Sequence, residues 1–299
     1  MDRIRIFGAT TVVVDGHEVH GPALGGAKPR QVLEVLALAD GAPVTKDRLV
    51  EMLWEGAAPG SAVATLESYV CVLRRAIGGG RPGRDSVVQT TSAGYRLDTT
   101  RISTDLAACR ALLATAASAA PADAIALVRA ALELSDQPLL PAEARAAWAD
   151  RERDVLAHQL VAACTSAARH AVAVGDVAAA VELSARATGL DPLDEAAVRV
   201  RMTALDAAGR RAEALRCYLA LRARLVDELG VEPSAATRDT YVGLLVATDE
   251  RRRSERPSRT EVTGLLDLLR DTLSRVPGLD TAPVDHALAG VATQALSLL

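Results

Sequence analysis

Shifting the sequence by 34 positions superimposes Gly175 on Gly209, and with them Ala162 on Ala196, Ala163 on Ala197, Ala178 on Ala212 and Ala180 on Ala214. Alanine matches are cheap in so Ala-rich a chain. The glycine pair weighs more, because each glycine falls where one apolar-periodic stretch ends and the next begins. A unit of this length holds two helices and a turn, and such pairs bury their apolar faces only by stacking on neighbours. Small residues at facing positions let paired helices approach closely. Asp191–Pro192 breaks the same repeat. The apolar period therefore predicts helices over 104–118, 121–134, 142–172, 176–188, 193–207, 211–228 and 234–248.

The first hundred residues read differently. Alternation around Ile4, Ile6 and Val12 to Val14 predicts short strands with a turn at Asp15–Gly16. Pro29 suits the first turn of a helix carrying Val32, Leu33, Leu36 and Ala39. Thr45 is placed to cap a second helix over 46–53, and a third runs over 61–77 before Gly78–Gly80. Two short strand runs around Ser92-Ala93-Gly94 then form a hairpin over 87–97. From Ile102 onward the pattern is helical only. The expected fold class is mostly α: an N-terminal α+β domain over 1–100 and an all-α repeat domain over 101–249. A charged run, ERRRSERPSR, reads as an Arg-rich linker over 250–259, with a helical appendage over 260–299.

Aromatics make up 2% of the chain, so the cores must be built from Leu, Val and Ala. Cys71, Cys109, Cys164 and Cys217 form neither a CxxC motif nor a zinc-type cluster, and read as reduced, mostly buried thiols. With no signal-like apolar run at the N-terminus and no stretch of ~18–20 apolar residues, the expectation is a cytoplasmic protein without a membrane span. Net charge is −4, but residues 60–97 set five arginines against Glu67 and Asp85. A local basic stretch on an acidic chain fits one small contact with nucleic acid.

On a helical wheel the third helix gathers Ala62, Leu66, Tyr69, Val70, Leu73 and Ile77 on one side. Opposite lie Ala64, Ser68, Cys71 and Arg75, flanked by Ser61, Thr65, Glu67, Val72 and Arg74. Small polar side chains let a helix approach base edges in a major groove, and arginine can bond guanine or phosphate there. Most faces of this composition are only solvated, and the wheel alone favours that reading.

Sequence resemblance carries the reading further. LVEMLW (49–54), ATLESYVCVLRRAIG (64–78) and VVQTTSAGYRL (87–97) closely resemble the OmpR-type winged helix-turn-helix. The runs PLLP (138–141), ARHAVAVGD (168–176), DPLDE (191–195), ALDAAGRRAEALRCYLALRARLVDELGVEPS (204–234) and TRDTYVGLL (237–245) resemble the bacterial transcriptional activation domain, whose helices are tetratricopeptide-like. This pairing is that of the Streptomyces antibiotic regulatory protein family, and the match covers about residues 1–248. The resemblance implies an activator of secondary-metabolite gene clusters that binds direct repeats in double-stranded promoter DNA, as a homodimer on those repeats, and recruits RNA polymerase holoenzyme. Carried over by position, Thr65, Ser68, Cys71, Val72, Arg74 and Arg75 would face DNA. Thr91 and Ser92 would sit in the wing, and Lys28 and Arg30 would lie near phosphates. Two departures weaken the expected grip: Cys71–Val72 stands where relatives usually read Ser-Arg, and the wing lacks a customary basic residue.

No GxGxxG, P-loop, GxSxG or HExxH motif points to an enzyme or a cofactor. His17, His20, His158, His170 and His286 are scattered, and Asp194–Glu195 reads as helix N-terminal charge. The rival reading of another class is a helical-repeat interaction scaffold whose winged helix binds DNA weakly or only with a partner. Residues 60–97 separate the two, because a scaffold has no use for a groove-sized helix followed by a Gly-Tyr hairpin.

Overall fold

A computed structural model describes residues 2–78, 86–254 and Leu268. Met1–Ser234 form one compact unit, and a second begins at Ala235. Strands β1 (Asp2–Arg5), β2 (Thr11–Val14) and β3 (His17–His20) form an antiparallel meander. Asp15 and Gly16 both take positive φ at its turn, which matches the right-handed strand twist.

A 3-10 turn, Gly21–Leu24, leads into α1 (Ala27–Leu38), followed by a two-residue strand β4 (Val44–Thr45) and α2 (Lys46–Trp54). The Thr45 hydroxyl accepts the Arg48 N–H at 3.2 Å, the cap expected from the sequence. Helix α3 spans Ala62–Gly78, and strands β5 (Val88–Thr90) and β6 (Gly94–Leu97) form the hairpin. Leu33, Leu36, Leu49, Leu66, Leu73, Val88 and Leu97 are all fully or almost fully buried, each contributing roughly 1.5–3 kcal/mol.

Where the apolar period predicts only helices after the hairpin, Ile102–Thr104 form a further strand, β7, parallel to β1. Three residues are too few to register a period of two. The sheet order is β3-β2-β1-β7, so the junction near residue 100 lies inside a sheet rather than in a linker.

Helices α4 (Asp105–Ala116), α5 (Pro121–Leu134), α6 (Ala147–Val174), α7 (Val177–Leu190), α8 (Glu195–Ala207) and α9 (Arg211–Arg224) follow, the last continuing as a π-helical turn, Leu225–Leu229. The 34-residue repeat is visible atom by atom. The Asp176 N–H donates to the Ala171 carbonyl at 2.9 Å, and 34 positions on the Arg210 N–H donates to Leu205 at 2.8 Å. Ala180 and Ala214, one repeat apart, are both fully buried. All four cysteines are free; Cys109 and Cys164 are buried, Cys217 half-buried and Cys71 exposed. Burial pushes the Cys164 thiol up to about 11.

In the second unit, α10 (Ala235–Ser254) runs through the first half of the charged stretch expected to be a linker. The rest of that linker and the 260–299 appendage, Leu268 apart, lie outside the described residues.

The two parts of the first unit share backbone bonds. The Ile6 and Phe7 N–H groups donate to the Asp105 carboxylate at 3.0 Å, the Leu140 N–H donates to the Ile6 carbonyl at 2.9 Å, and the Gly8 N–H to Pro138 at 2.9 Å. Arg153 donates to the carbonyls of Leu139, Leu140 and Glu143, which fixes the 3-10 turn Pro141–Glu143.

Candidate nucleic-acid interface

Helix α3 owes its position to a stripe. Leu66, Val70, Leu73 and Ile77 are at most 1% exposed, and Tyr69 stacks on Trp54 of α2 with ring centres 6.1 Å apart. The opposite face, Ala64, Ser68, Cys71 and Arg75, is exposed, as the wheel predicts. Thr65 is half-buried. The Thr65 and Ser68 hydroxyls donate back to the Ser61 and Ala64 carbonyls at 3.0 and 3.1 Å, leaving oxygen lone pairs as outward acceptors.

The two arginines of α3 diverge. Arg75 is exposed and has no partner among the described residues. Arg74 turns to the hairpin: its Nε–H donates to the Val88 carbonyl at 2.9 Å, its Nη2–H donates to Thr90 Oγ1 at 2.7 Å, and its guanidinium lies 5.9 Å from the Tyr95 ring centre. Its guanidinium joins the hairpin to the helix rather than facing outward. Gly94 completes that joint, because a Cβ there would lie 2.0 Å from the Val44 carbonyl oxygen on the neighbouring strand β4.

Three further residues expected near DNA also have internal neighbours. Lys28 Nζ donates to the Leu53 carbonyl at the end of α2 and lies 5.9 Å from the Trp54 ring. Arg30 pairs with Glu143 at 2.8 Å and Glu34 at 3.2 Å. Both cations make internal contacts, Lys28 with a backbone carbonyl and Arg30 chiefly with the Glu143 carboxylate. Val72 is 36% exposed, but a Cβ added at Gly25 would meet Val72 Cγ1 at 2.2 Å, so its methyl covers the turn before α1.

In the hairpin, Ser92 is exposed at the tip, and the Thr91 hydroxyl accepts the Gly94 N–H at 3.1 Å, closing the turn. Two cations beside this face were not among the individual candidates, although Arg96 belongs to the basic stretch over 60–97. Lys46 Nζ pairs with Glu67 at 2.5 Å, which neutralises the carboxylate on the flank of α3. Arg96 is exposed on β6 and holds Gln89 Oε1 at 2.9 and 3.0 Å. The cap at Thr45 pointed to Lys46, since it fixes the first turn of α2; nothing local pointed to Glu67.

Residues 23–97 match the family described as "Transcriptional regulatory protein, C terminal", and residues 104–245 match "Bacterial transcriptional activator domain". The regulatory protein DnrI of Streptomyces peucetius is 32% identical over 237 residues, 74% of this chain and 84% of DnrI. The chain belongs to the Streptomyces antibiotic regulatory protein family. AfsR of Streptomyces griseus is 31% identical over 77% of this chain, a region that spans only 23% of AfsR. Among solved structures, Mycobacterium tuberculosis EmbR in complex with low affinity phosphopeptide aligns with a TM-score of 0.70 at 28% identity, covering 82% of this chain and 65% of that one. This family member is a transcriptional regulator with a DNA-binding winged helix followed by an activator domain. Among the described residues, no helix is long and apolar enough to cross a membrane.

Proposed function

We propose that this regulator seats the outer face of α3 in the major groove of promoter DNA and activates a biosynthetic gene cluster. Two copies occupy direct repeats and recruit RNA polymerase holoenzyme from the cytoplasm. The observation that carries the reading is the exposed Ala64, Ser68, Cys71 and Arg75 face: a small, polar surface ending in a guanidinium that has no partner among the described residues. Ala64 and Ser68 admit close approach, Cys71 is small enough not to obstruct it, and Arg75 supplies a bidentate donor to guanine or phosphate. Ser92 at the hairpin tip and Arg96 on its strand are the candidates for backbone contact beside the groove.

Footprinting on the chain's own gene neighbourhood tests this, because it reports site, repeat spacing and stoichiometry together. Two protected half-sites spaced by a helical turn or its multiple support the reading. A second reading, DNA binding that is weak without a partner protein, is favoured by the internal use of Lys28, Arg30 and Arg74. Protection that appears only when polymerase is added distinguishes it.

A further inference from the structure

Two carboxylates meet one guanidinium where the winged helix joins the activator domain. Arg30 Nη2–H donates to Glu143 Oε1 at 2.8 Å, and Arg30 Nε lies 3.2 Å from Oε1 of Glu34, one turn further along α1. Both carboxylates are buried, Glu34 completely. Among the described residues, the groups around them bring no second free positive charge. Thr10, just before β2, donates its hydroxyl to Glu34 Oε1 at 2.5 Å, and Gln31 donates its amide to Glu143 at 2.5 Å. Arg153 of α6 pairs with Asp150 at 2.6 Å, and Lys28 turns to the Leu53 carbonyl. Glu34 Oε2 is sealed, and no described residue donates to it. A buried carboxylate without a full counter-charge is costly, and taking a proton removes the cost. Burial pushes the Glu34 carboxyl up to about 7; the Thr10 bond opposes that rise, the Glu143 charge adds to it, and Arg30 opposes it.

We propose that Glu34 is a proton-controlled latch between the DNA-binding head and the activator domain. With its proton in place, Arg30 and Glu143 form a neutral pair, and the 3-10 turn Pro141–Glu143 is held against α1. Loss of the proton sets two buried carboxylates against one guanidinium, and one of them must leave. Glu34 stands mid-helix with no exposed surface and cannot. Glu143 can: it ends a three-residue turn and lines an open cleft of about 530 Å³ together with Lys28 and Trp148. Its departure loosens the adjoining backbone seam, in which the Leu140 N–H donates to Ile6 and the Gly8 N–H to Pro138. The proton is held below about pH 7 and lost above it, so the latch is closed in mild acid and opens as pH rises. This device sets how rigidly the α3 face is carried by the activator domain. It uses none of the residues on that face, so it is tested without DNA.

Hydrogen exchange of the full chain at about pH 6 and about pH 8, with rates normalised for the intrinsic pH dependence of amide exchange, tests the latch. The reporters are the Gly8, Leu140, Glu143 and Ala146 amides, all bonded within the seam or the turn, and the amides of α8 report global unfolding. In the wild type the junction amides should exchange faster than those of α8 at both values, and their opening should rise about tenfold between the two. Glu34→Gln, neutral at every pH, should hold the opening at its lower value throughout. Glu143→Gln removes the repulsion from the accessible side and should reduce the rise, which serves if the buried variant folds poorly. Junction amides that exchange only together with those of α8 would overturn the latch. So would an undiminished rise in a stably folded variant of either kind.

Discussion

The Arg30 guanidinium on α1 donates to the Glu143 carboxylate at 2.8 Å, joining residues 113 positions apart and tying the winged helix to the activator domain. Gln31 Nε2 adds a second donor to the same carboxylate at 2.5 Å. Glu143 is 5% exposed, so the pair is largely desolvated. A double-mutant cycle with Arg30→Ala and Glu143→Ala is expected to give a coupling of about 1–3 kcal/mol by urea unfolding. A coupling near zero would detach the pair from the stability of the junction.

Glu34 sits beside that pair, fully buried. Burial pushes its carboxyl up to about 7, although the Thr10 hydroxyl donating at 2.5 Å pulls the other way. The folded chain therefore keeps a proton that the unfolded chain releases near pH ~4.3, and this residue's contribution to stability falls as pH rises between those values. From about pH 5 to about pH 8 the wild type should lose roughly 3 kcal/mol at this position. Glu34→Gln, which keeps the acceptor for Thr10 and carries no charge, should flatten that slope and be the more stable at about pH 8. Parallel pH profiles of the two chains would refute the assignment.

Arg75→Ala should weaken binding to the cognate site by ~1–3 kcal/mol with an unchanged melting temperature, because Arg75 is exposed and supports no core residue. Gel shifts at fixed salt measure it. An unaltered dissociation constant would remove the outer face of α3 from the interface.

Arg74→Lys should behave differently. A lysine gathers its three N–H donors on one nitrogen and lacks the planar fork whose separate nitrogens reach Val88 O and Thr90 Oγ1. The expected loss is about 1–3 kcal/mol of stability, with affinity for all DNA sequences lowered together as the hairpin loosens. Loss of sequence preference at full stability would show that Arg74 reads bases instead.

Val72→Arg tests the seam against Gly25. The position is exposed enough for a long side chain to extend into solvent, so the melting temperature should hold within a few degrees. A guanidinium that reaches a phosphate should steepen the log–log salt dependence by ~0.9. A stable variant with an unchanged slope would place position 72 outside the DNA contact.

Sequence alone revealed the features that rest on neighbours in the chain. The stripe on α3, the Thr45 cap, the Asp15–Gly16 turn and the glycine at each helix junction all follow from local periodicity or backbone conformation. Strand β7 escaped notice because Ile102–Thr104 pair with Asp2–Ile4 a hundred residues earlier. The destinations of Lys28, Arg30 and Arg74 escaped for a related reason. An arginine's charge is written in the sequence, but its partner is chosen by folding, and Glu143 comes 113 positions later, after the activator domain's first two helices in chain order. Face and fold were legible; the internal use of the cations was not.

The pairing of β7 with β1, and the Asp105 carboxylate on the Ile6 and Phe7 amides, bear on how such regulators can be recombined. A cut after residue 100 would strip β1 of a partner strand and leave two amides without acceptors. An exchange of DNA-reading heads between relatives therefore has its natural seam after α4 has begun, with Ile102–Thr104 and Asp105 travelling with the head. Pro138 and Leu140, whose backbones bond Gly8 and Ile6 just past β1, would then have to tolerate a foreign strand, so a grafted head needs this segment matched to it.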